Sequence, residues 1–276
     1  MRLIIQKDYE VVSKWTAAHI AKGINDFQPV EKSFVLTPEK RPFVLGLPTG
    51  SSPIGTYQEL IRLNKAGKVS FKNVVTFNMD EYVGIPEDHP QSYHSFMYKH
   101  LFSQIDIPER NINILNSNVE NLEEECAKYE EKIEKVGGVK LFLAGVGPHG
   151  HIAFNEAGSS VGSRTRVKTL RYETILANSR FFGNDVSKVP KLALTVGVAT
   201  VTDAEEVVLI VSGYAKAQAL QKIVEEGINH MWTASILQMH PKVIIVCDDE
   251  ATAELKVGTV KYFKDIEKDN LEPPAL

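Results

Sequence analysis

Hydrophobic residues along the chain fall into two arrangements. Short unbroken apolar runs occur at 3–5, 43–47, 74–77, 141–146, 207–211 and 243–246, as in strands buried on both faces. Between them lie longer stretches with apolar positions three and four apart. Val11, Trp15 and Ala18 follow a capping Asp8, and Ile54, Tyr57 and Ile61 precede a stopping Gly67. His19, close to the first of these stripes, reads as a structural histidine. Further helices are predicted over 92–102, 122–136, 175–182 and 249–263, with another opening at Gly213, while 192–201 reads as one more strand. Strands alternating with helices predict an α/β chain with a mostly parallel sheet and helices on both faces.

One pattern interrupts this order. The triplet Phe34-Val35-Leu36 recurs as Phe43-Val44-Leu45, with turn chemistry at 37–40 between them. The second copy is taken as the core strand and the first as a surface insertion near 31–40 or an extra edge strand. No longer period is visible, and no Pro/Ser/Gly linker divides the chain, so a single domain over 1–276 is expected.

Three of the predicted strands end in residues that can do chemistry. After 43–47 comes Pro48-Thr49-Gly50-Ser51-Ser52-Pro53 and then a helix. There, free backbone N–H groups, hydroxyls and the positive end of the helix dipole converge as they would around an anion. After 74–77 come Asp80 and Glu81, adjacent carboxylates that could serve as a metal site, a general base or a helix cap. After 141–146, Gly145, Gly147 and Gly150 open the backbone around His149 and His151, with Glu156 further on. Arg164, Arg166 and Lys168 then alternate among Ser159, Ser160, Ser163 and Thr165, which would put all three cations on one face of an extended segment. Lys216 falls in the first turn of its helix, where a cation opposes the dipole unless it faces a bound anion.

Composition narrows the possibilities. A formal charge of −4 argues against general nucleic-acid binding, which draws on excess Lys and Arg. The two cysteines, Cys126 and Cys247, have neither metal nor redox spacing and suit free thiols in a reducing cytosol. M-R-L-I-I-Q-K-D turns polar too early for a secretory signal, and no apolar run reaches membrane length. A cytoplasmic location is therefore expected. His149 and His151 form an H-x-H pair with no third ligand at a familiar spacing, so no metal is expected.

The chain resembles the glucosamine-6-phosphate deaminase (glucosamine-6-phosphate isomerase) family over nearly its whole length. The resemblance rests on L-G-L-P-T-G-S-S-P at 45–53, F-N-M-D-E-Y-V-G at 77–84 and H-P-Q-S-Y-H-S-F at 89–96. It continues through G-H-I-A-F-N-E at 150–156, S-R-T-R-V-K-T at 163–169, A-N-S-R-F-F at 177–182 and N-H-M-W-T at 229–233. It implies a Rossmann-like fold, a homo-oligomer (a hexamer in many bacterial members) and no cofactor. The implied reaction takes glucosamine 6-phosphate and water to fructose 6-phosphate and ammonia.

It also implies roles for single residues. Asp80 would move a proton between C2 and C1, and His151 would open the sugar ring, oriented or charged by Glu156. Thr49, Gly50, Ser51, Ser52, Arg180 and Lys216 would hold the 6-phosphate. Ser159, Arg166, Lys168 and Tyr262 match a second site at which N-acetylglucosamine 6-phosphate activates some members. Residues 171–188 match a mobile lid.

The chain departs from the family pattern where it matters chemically. His149 stands where the pattern has Asp, so it cannot give the neighbouring His151 a fixed negative charge. Ala157 replaces a usual Pro and Ala144 a glycine. Two other readings follow: a catalytically impaired sugar-phosphate sensor of the same fold, and a phosphogluconolactonase. The lactonase reading leaves Asp80 and its N-M-D-E-Y motif without evident use.

Overall fold

The apolar runs become strands of one sheet. In the computed structural model, which describes residues 1–28 and 41–276, the chain begins with β1 (Arg2–Gln6) and α1 (Tyr9–Phe27). The Asp8 side chain accepts from Val11 N at the start of α1, as its position predicts. β2 (Phe43–Leu47), α2 (Ile54–Lys65) and β3 (Val74–Asn78) follow, then a three-residue strand, β4 (Asp80–Tyr82). After α3 (Tyr93–His100), β5 (Ile112–Asn113) and α4 (Leu122–Lys135) comes β6 (Leu141–Gly145). The chain continues through β7 (Arg166–Thr169), α5 (Tyr172–Asn178), β8 (Leu192–Thr195), α6 (Val198–Thr202) and β9 (Glu206–Val211). It closes with α7 (Ala217–Val224), β10 (Val243–Asp248) and α8 (Val257–Ile266). The first Phe-Val-Leu triplet and the expected insertion near 31–40 lie outside the described residues.

Seven strands pair in the order β1-β10-β9-β6-β2-β3-β5, every pair parallel. Alternation within each strand feeds two cores. Phe43, Leu45 and Leu47 face the layer that holds Trp15 and Tyr57, while Val44 faces the layer that holds Tyr129 and Leu220. The strand order reverses between β2 and β6. At such a switch point the loops leaving neighbouring strands diverge and leave a crevice beyond their C-terminal ends.

The pattern misled at three places. Residues 192–201 are one strand only as far as Thr195. Gly197 then turns the chain, Ser163 caps the new end by accepting Val198 N at its Oγ and Ala199 N at its carbonyl, and the β-branched V-A-T-V-T becomes α6. The closing helix begins at Val257 rather than 249, because a 3₁₀ turn at Glu250–Thr252 comes first. Arg164 lies outside β7 and pairs with Asp203 at 2.5 Å, so it does not share the Arg166–Lys168 face.

A second, antiparallel sheet of order β4-β8-β7 was not expected at all. It stands over the C-terminal ends of the parallel strands with its own apolar cluster of Tyr82, Phe154, Ile175 and Phe182. α5 and the 3₁₀ turn Ser179–Phe182 pack there, forming one wall of the crevice.

Candidate active site

Loops from β2, β3, β6 and β9 meet in a cavity of about 480 Å³ at the switch point. Its walls include Thr49, Gly50, Ser51 and Ser52, then Asp80, His149 and His151, and finally Arg180 and Lys216. The residues expected to hold phosphate and three of the four expected catalytic groups are thus brought together.

Asp80 owes its position to β4. Met79 N donates to Leu47 O and Val196 N donates to Met79 O, so the chain is gripped on both sides one residue earlier. Asp80 pairs with Thr195 across the small sheet and its side chain is 6% exposed. Its Oδ1 is buried with no hydrogen-bond partner among the described residues. Burial, and then the charge of Glu81, push its carboxyl up to about 8. Glu81 points away and accepts Tyr82 N, Tyr93 N and His94 N at 2.8, 2.9 and 2.8 Å. Of the two adjacent carboxylates, therefore, Glu81 is the helix cap and Asp80 is free for chemistry.

His151 sits on a tight turn in which Gly150 N donates to Gly147 O and Gly147 N donates to His151 O. Gly150 has φ +65°, and a β-carbon there would meet the Trp232 ring at 2.5 Å. Trp232 belongs to the N-H-M-W-T segment, whose Thr233 Oγ1 donates to Asn155 O, and the next residue, Ala234, donates its N–H to Gly150 O. Burial pushes His151 down to about 4, and the charges of Lys216, His149 and Arg171 act in the same direction. The imidazole is neutral at physiological pH and can accept a proton. His149 is exposed on the cavity rim.

Glu156 requires a correction. It is buried, and its oxygens accept Arg171 N (3.0 and 3.2 Å) and the Thr174 hydroxyl (2.5 Å). The carboxylate caps α5 instead of orienting His151, and it does not line the cavity. The start of α5 offers both donors, Arg171 N and Thr174 Oγ1.

The anion loop is held from behind. Tyr9 Oη donates to the Ser51 and Ser52 carbonyls (3.1 and 3.0 Å) and accepts from Gly55 N. Gly50 adopts φ +89°, which glycine tolerates best. Pro53 offers α2 no cap of its own and Tyr9 takes one first-turn amide, Gly55 N, while Ile54 at the helix start lines the cavity. Arg180 and Lys216 face the same space, neither ion-paired among the described residues. Burial, and then the charge of Arg180, push Lys216 down to about 8. Two cations without an ion-pair partner among the described residues, beside a hydroxyl-rich loop, are the arrangement that an anion would need.

The second predicted cluster is partly assembled. Lys168 Nζ donates to Ser159 Oγ at 3.2 Å, and Arg166 donates to Asn155 Oδ1 at 2.9 Å. Tyr262 lies elsewhere, 59% exposed on α8, which packs against the edge strand β1. Among the described residues no group of three or more His, Cys, Asp or Glu could hold a metal ion, and no helix is long and apolar enough to cross a membrane.

Three cavity residues had no role assigned from sequence: Tyr82, Tyr93 and Asn178. Asn178 Nδ2 donates to Tyr82 Oη at 2.8 Å across 96 residues of sequence. The available signal was their place in the motifs that contain Asp80, the capping Ser92 and Arg180.

Comparison with known proteins shows the family. The profile described as glucosamine-6-phosphate isomerases/6-phosphogluconolactonase matches residues 16–245. The chain is 64% identical to a glucosamine-6-phosphate deaminase of Phocaeicola vulgatus, over 98% of this chain and 100% of that one. It is 61% identical to one of Borreliella afzelii, over 98% of each. Among solved structures, a monomeric glucosamine-6-phosphate deaminase superposes with TM-score 0.84 at 39% identity, covering 92% of this chain and 100% of that one. A 6-phosphogluconolactonase of Thermotoga maritima shares the fold, with TM-score 0.67 at 19% identity over 90% of this chain and 99% of that one.

Proposed function

The chain belongs to the glucosamine-6-phosphate isomerase/6-phosphogluconolactonase family, and on that premise we propose that it converts glucosamine 6-phosphate and water to fructose 6-phosphate and ammonia. One observation carries the choice: the Asp80 carboxyl, whose Oδ1 has no partner among the described residues, faces the same cavity as a neutral imidazole and two cations with no ion-pair partner among the described residues. A lactone hydrolase has no need of a carboxylate set over a sugar carbon. An isomerising deaminase does.

Each step has a group suited to it. The phosphate binds at Thr49–Ser52 with Arg180 and Lys216, and this remote attachment positions the reacting carbons. His151 moves a proton between the anomeric hydroxyl and the ring oxygen, opening the sugar. Asp80 then takes the proton from C2 and returns one to C1. Water adds to the resulting C2 imine, the C–N bond breaks and ammonia leaves, so the enzyme is a hydrolase of that bond. His149 gives the imidazolium no anionic partner, which makes ring opening the slow step. Residues 171–188 close over the substrate.

Ser159, Arg166 and Lys168 form the activator site, for which N-acetylglucosamine 6-phosphate is the ligand. Tyr262 can complete it only from another copy of the chain, which favours a homo-oligomer, a hexamer by family resemblance. Two buried free thiols suit a cytoplasmic enzyme.

The test is ammonia release from glucosamine 6-phosphate, with and without N-acetylglucosamine 6-phosphate. Equal amounts of ammonia and fructose 6-phosphate are expected. Saturable binding without ammonia would establish the sensor reading instead.

A further inference from the structure

Lys216 reaches the cavity from a short turn that its own side chains hold only weakly. β9 ends at Val211, Gly213 takes φ +84° and ψ 154°, and the 3₁₀ turn Tyr214–Lys216 leads into α7. Lys216 N donates to Gly213 O at 3.0 Å, so the corner at Gly213 sets where the lysine side chain begins. Tyr214 and Ala215 are exposed and add little packing. The grip comes from a carboxylate on the next strand. Val211 pairs with Cys247 in the parallel ladder, which brings Asp248, the last residue of β10, beside Ser212. Asp248 is 4% exposed. Its oxygens accept the Ser212 hydroxyl, Gly213 N at 3.0 Å to each oxygen, and Ala251 N at 2.9 Å. It does not line the cavity, and these bonds all go to the turns that leave β9 and β10.

We propose that Asp248 is a positioning residue: by holding the Ser212–Gly213 corner it aims Lys216 at the substrate phosphate. The backbone conformation at Gly213 is open to glycine almost alone, and such a corner keeps its shape only when its surroundings fix it. A carboxylate is the strongest acceptor a side chain can offer those donors. Lys216 carries a long flexible stem and has no ion-pair partner among the described residues, so the backbone at its base decides where the ammonium can reach. This role rests on the proposed phosphate site and adds to it a residue that never touches the phosphate.

A double-variant comparison tests it. Affinity for inorganic phosphate is measured by calorimetry, and KM and kcat with glucosamine 6-phosphate, in the unmodified protein, Asp248→Ala, Lys216→Ala and the two combined. Lys216→Ala should weaken phosphate by about tenfold or more, as loss of a charge-assisted hydrogen bond does. Asp248→Ala should raise the phosphate Kd and KM by about tenfold while kcat stays within about threefold, the mark of lost uniform binding. Added to Lys216→Ala, it should weaken phosphate by less than about twofold, because the side chain it aims is gone. Asp248→Asn keeps a carbonyl for Gly213 N and Ala251 N, and Ser212 Oγ can accept from its amide, so it should recover most of the loss. If Asp248→Ala fails to fold, Gly213→Ala disturbs the same corner: a β-carbon there meets no atom within 4 Å, yet φ +84° disfavours it. The same rise in KM and the same lack of effect on the Lys216→Ala background are then expected. No loss in Asp248→Ala, or a combined variant about tenfold weaker than Lys216→Ala, overturns the positioning role and leaves the phosphate site standing. Undiminished phosphate binding in Lys216→Ala overturns the assignment of Lys216 to the phosphate, and this role with it.

Discussion

The Gly147 α-carbon lies directly against the His151 imidazole: a β-carbon built at Gly147 falls 2.3 Å from both Cε1 and Nε2 of the ring. No side chain fits there without displacing the ring, so glycine here sets the position of the proposed proton carrier. Gly147→Ala should cut turnover on glucosamine 6-phosphate by about 10²-fold, the lower end of what general acid–base groups contribute. Phosphate affinity should change little. A variant with full activity would show that His151 need not occupy this position.

The two groups near 8 should make the proposed activity depend sharply on pH. Asp80 must be a carboxylate to accept the C2 proton, and its carboxyl, raised to about 8, gains that form as pH rises. Lys216 must be charged to hold phosphate, and its ammonium, lowered to about 8, loses charge over the same range. kcat/KM should therefore trace a narrow bell near pH 8, since it reports the free enzyme. In the complex, the substrate ammonium lowers Asp80 and the phosphate raises Lys216, so the kcat profile should be broader. Stability moves with the same proton. The folded state holds the Asp80 proton up to about 8 while the unfolded state releases it near 3.8, so stability contributed by the neutral acid is lost as pH rises between those values. Asp80→Asn should raise Tm at pH 8 by at least about 3 °C. A lower Tm would mean that the carboxylate is structural.

Much of this was legible because it depends on neighbours in sequence. The apolar runs specified β1, β2, β3, β6, β9 and β10, and the glycines and hydroxyls at their ends marked the loops of the cavity. What stayed hidden depends on partners far along the chain. β4 has three residues and no period to read, yet it separates Asp80 from Glu81. Glu156 sits near His151 in sequence, but its donors, Arg171 N and Thr174 Oγ1, arrive from the start of α5. The bond between Tyr82 and Asn178 leaves no local pattern at all.

The replacement at 149 should be reversible in effect. His151 is held near 4 by burial first, then by Lys216 and His149. An aspartate in place of His149 would exchange one of those repulsions for attraction and stabilise the imidazolium that ring opening requires. His149→Asp should raise turnover at least tenfold, about 1.4 kcal/mol of barrier, with little change in KM. An open-chain substrate analogue should show no gain. An unchanged rate on the closed sugar would mean that ring opening does not limit the enzyme.

Glu156 offers a test that separates anchoring from proton relay. Glu156→Gln turns one acceptor oxygen into a donor facing Arg171 N and Thr174 Oγ1. Amide exchange at 171–175 should accelerate several-fold, while the pH profile of kcat/KM keeps its shape. A shifted profile with undisturbed exchange at 171–175 would return Glu156 to the imidazole.

Asp80 carries the chemistry proposed here, and the fate of the C2 proton reports on it directly. Glucosamine 6-phosphate is incubated in D₂O with unmodified protein and with Asp80→Asn, and the C2–H signal is followed by NMR as ammonia is assayed. With unmodified protein the C2–H signal should disappear as ammonia and fructose 6-phosphate form in equal amounts. Asp80→Asn should bind the sugar phosphate with nearly unchanged affinity, retain the C2–H signal and release ammonia about 10²–10⁴-fold more slowly. Loss of C2–H at the unmodified rate in Asp80→Asn would contradict the assignment.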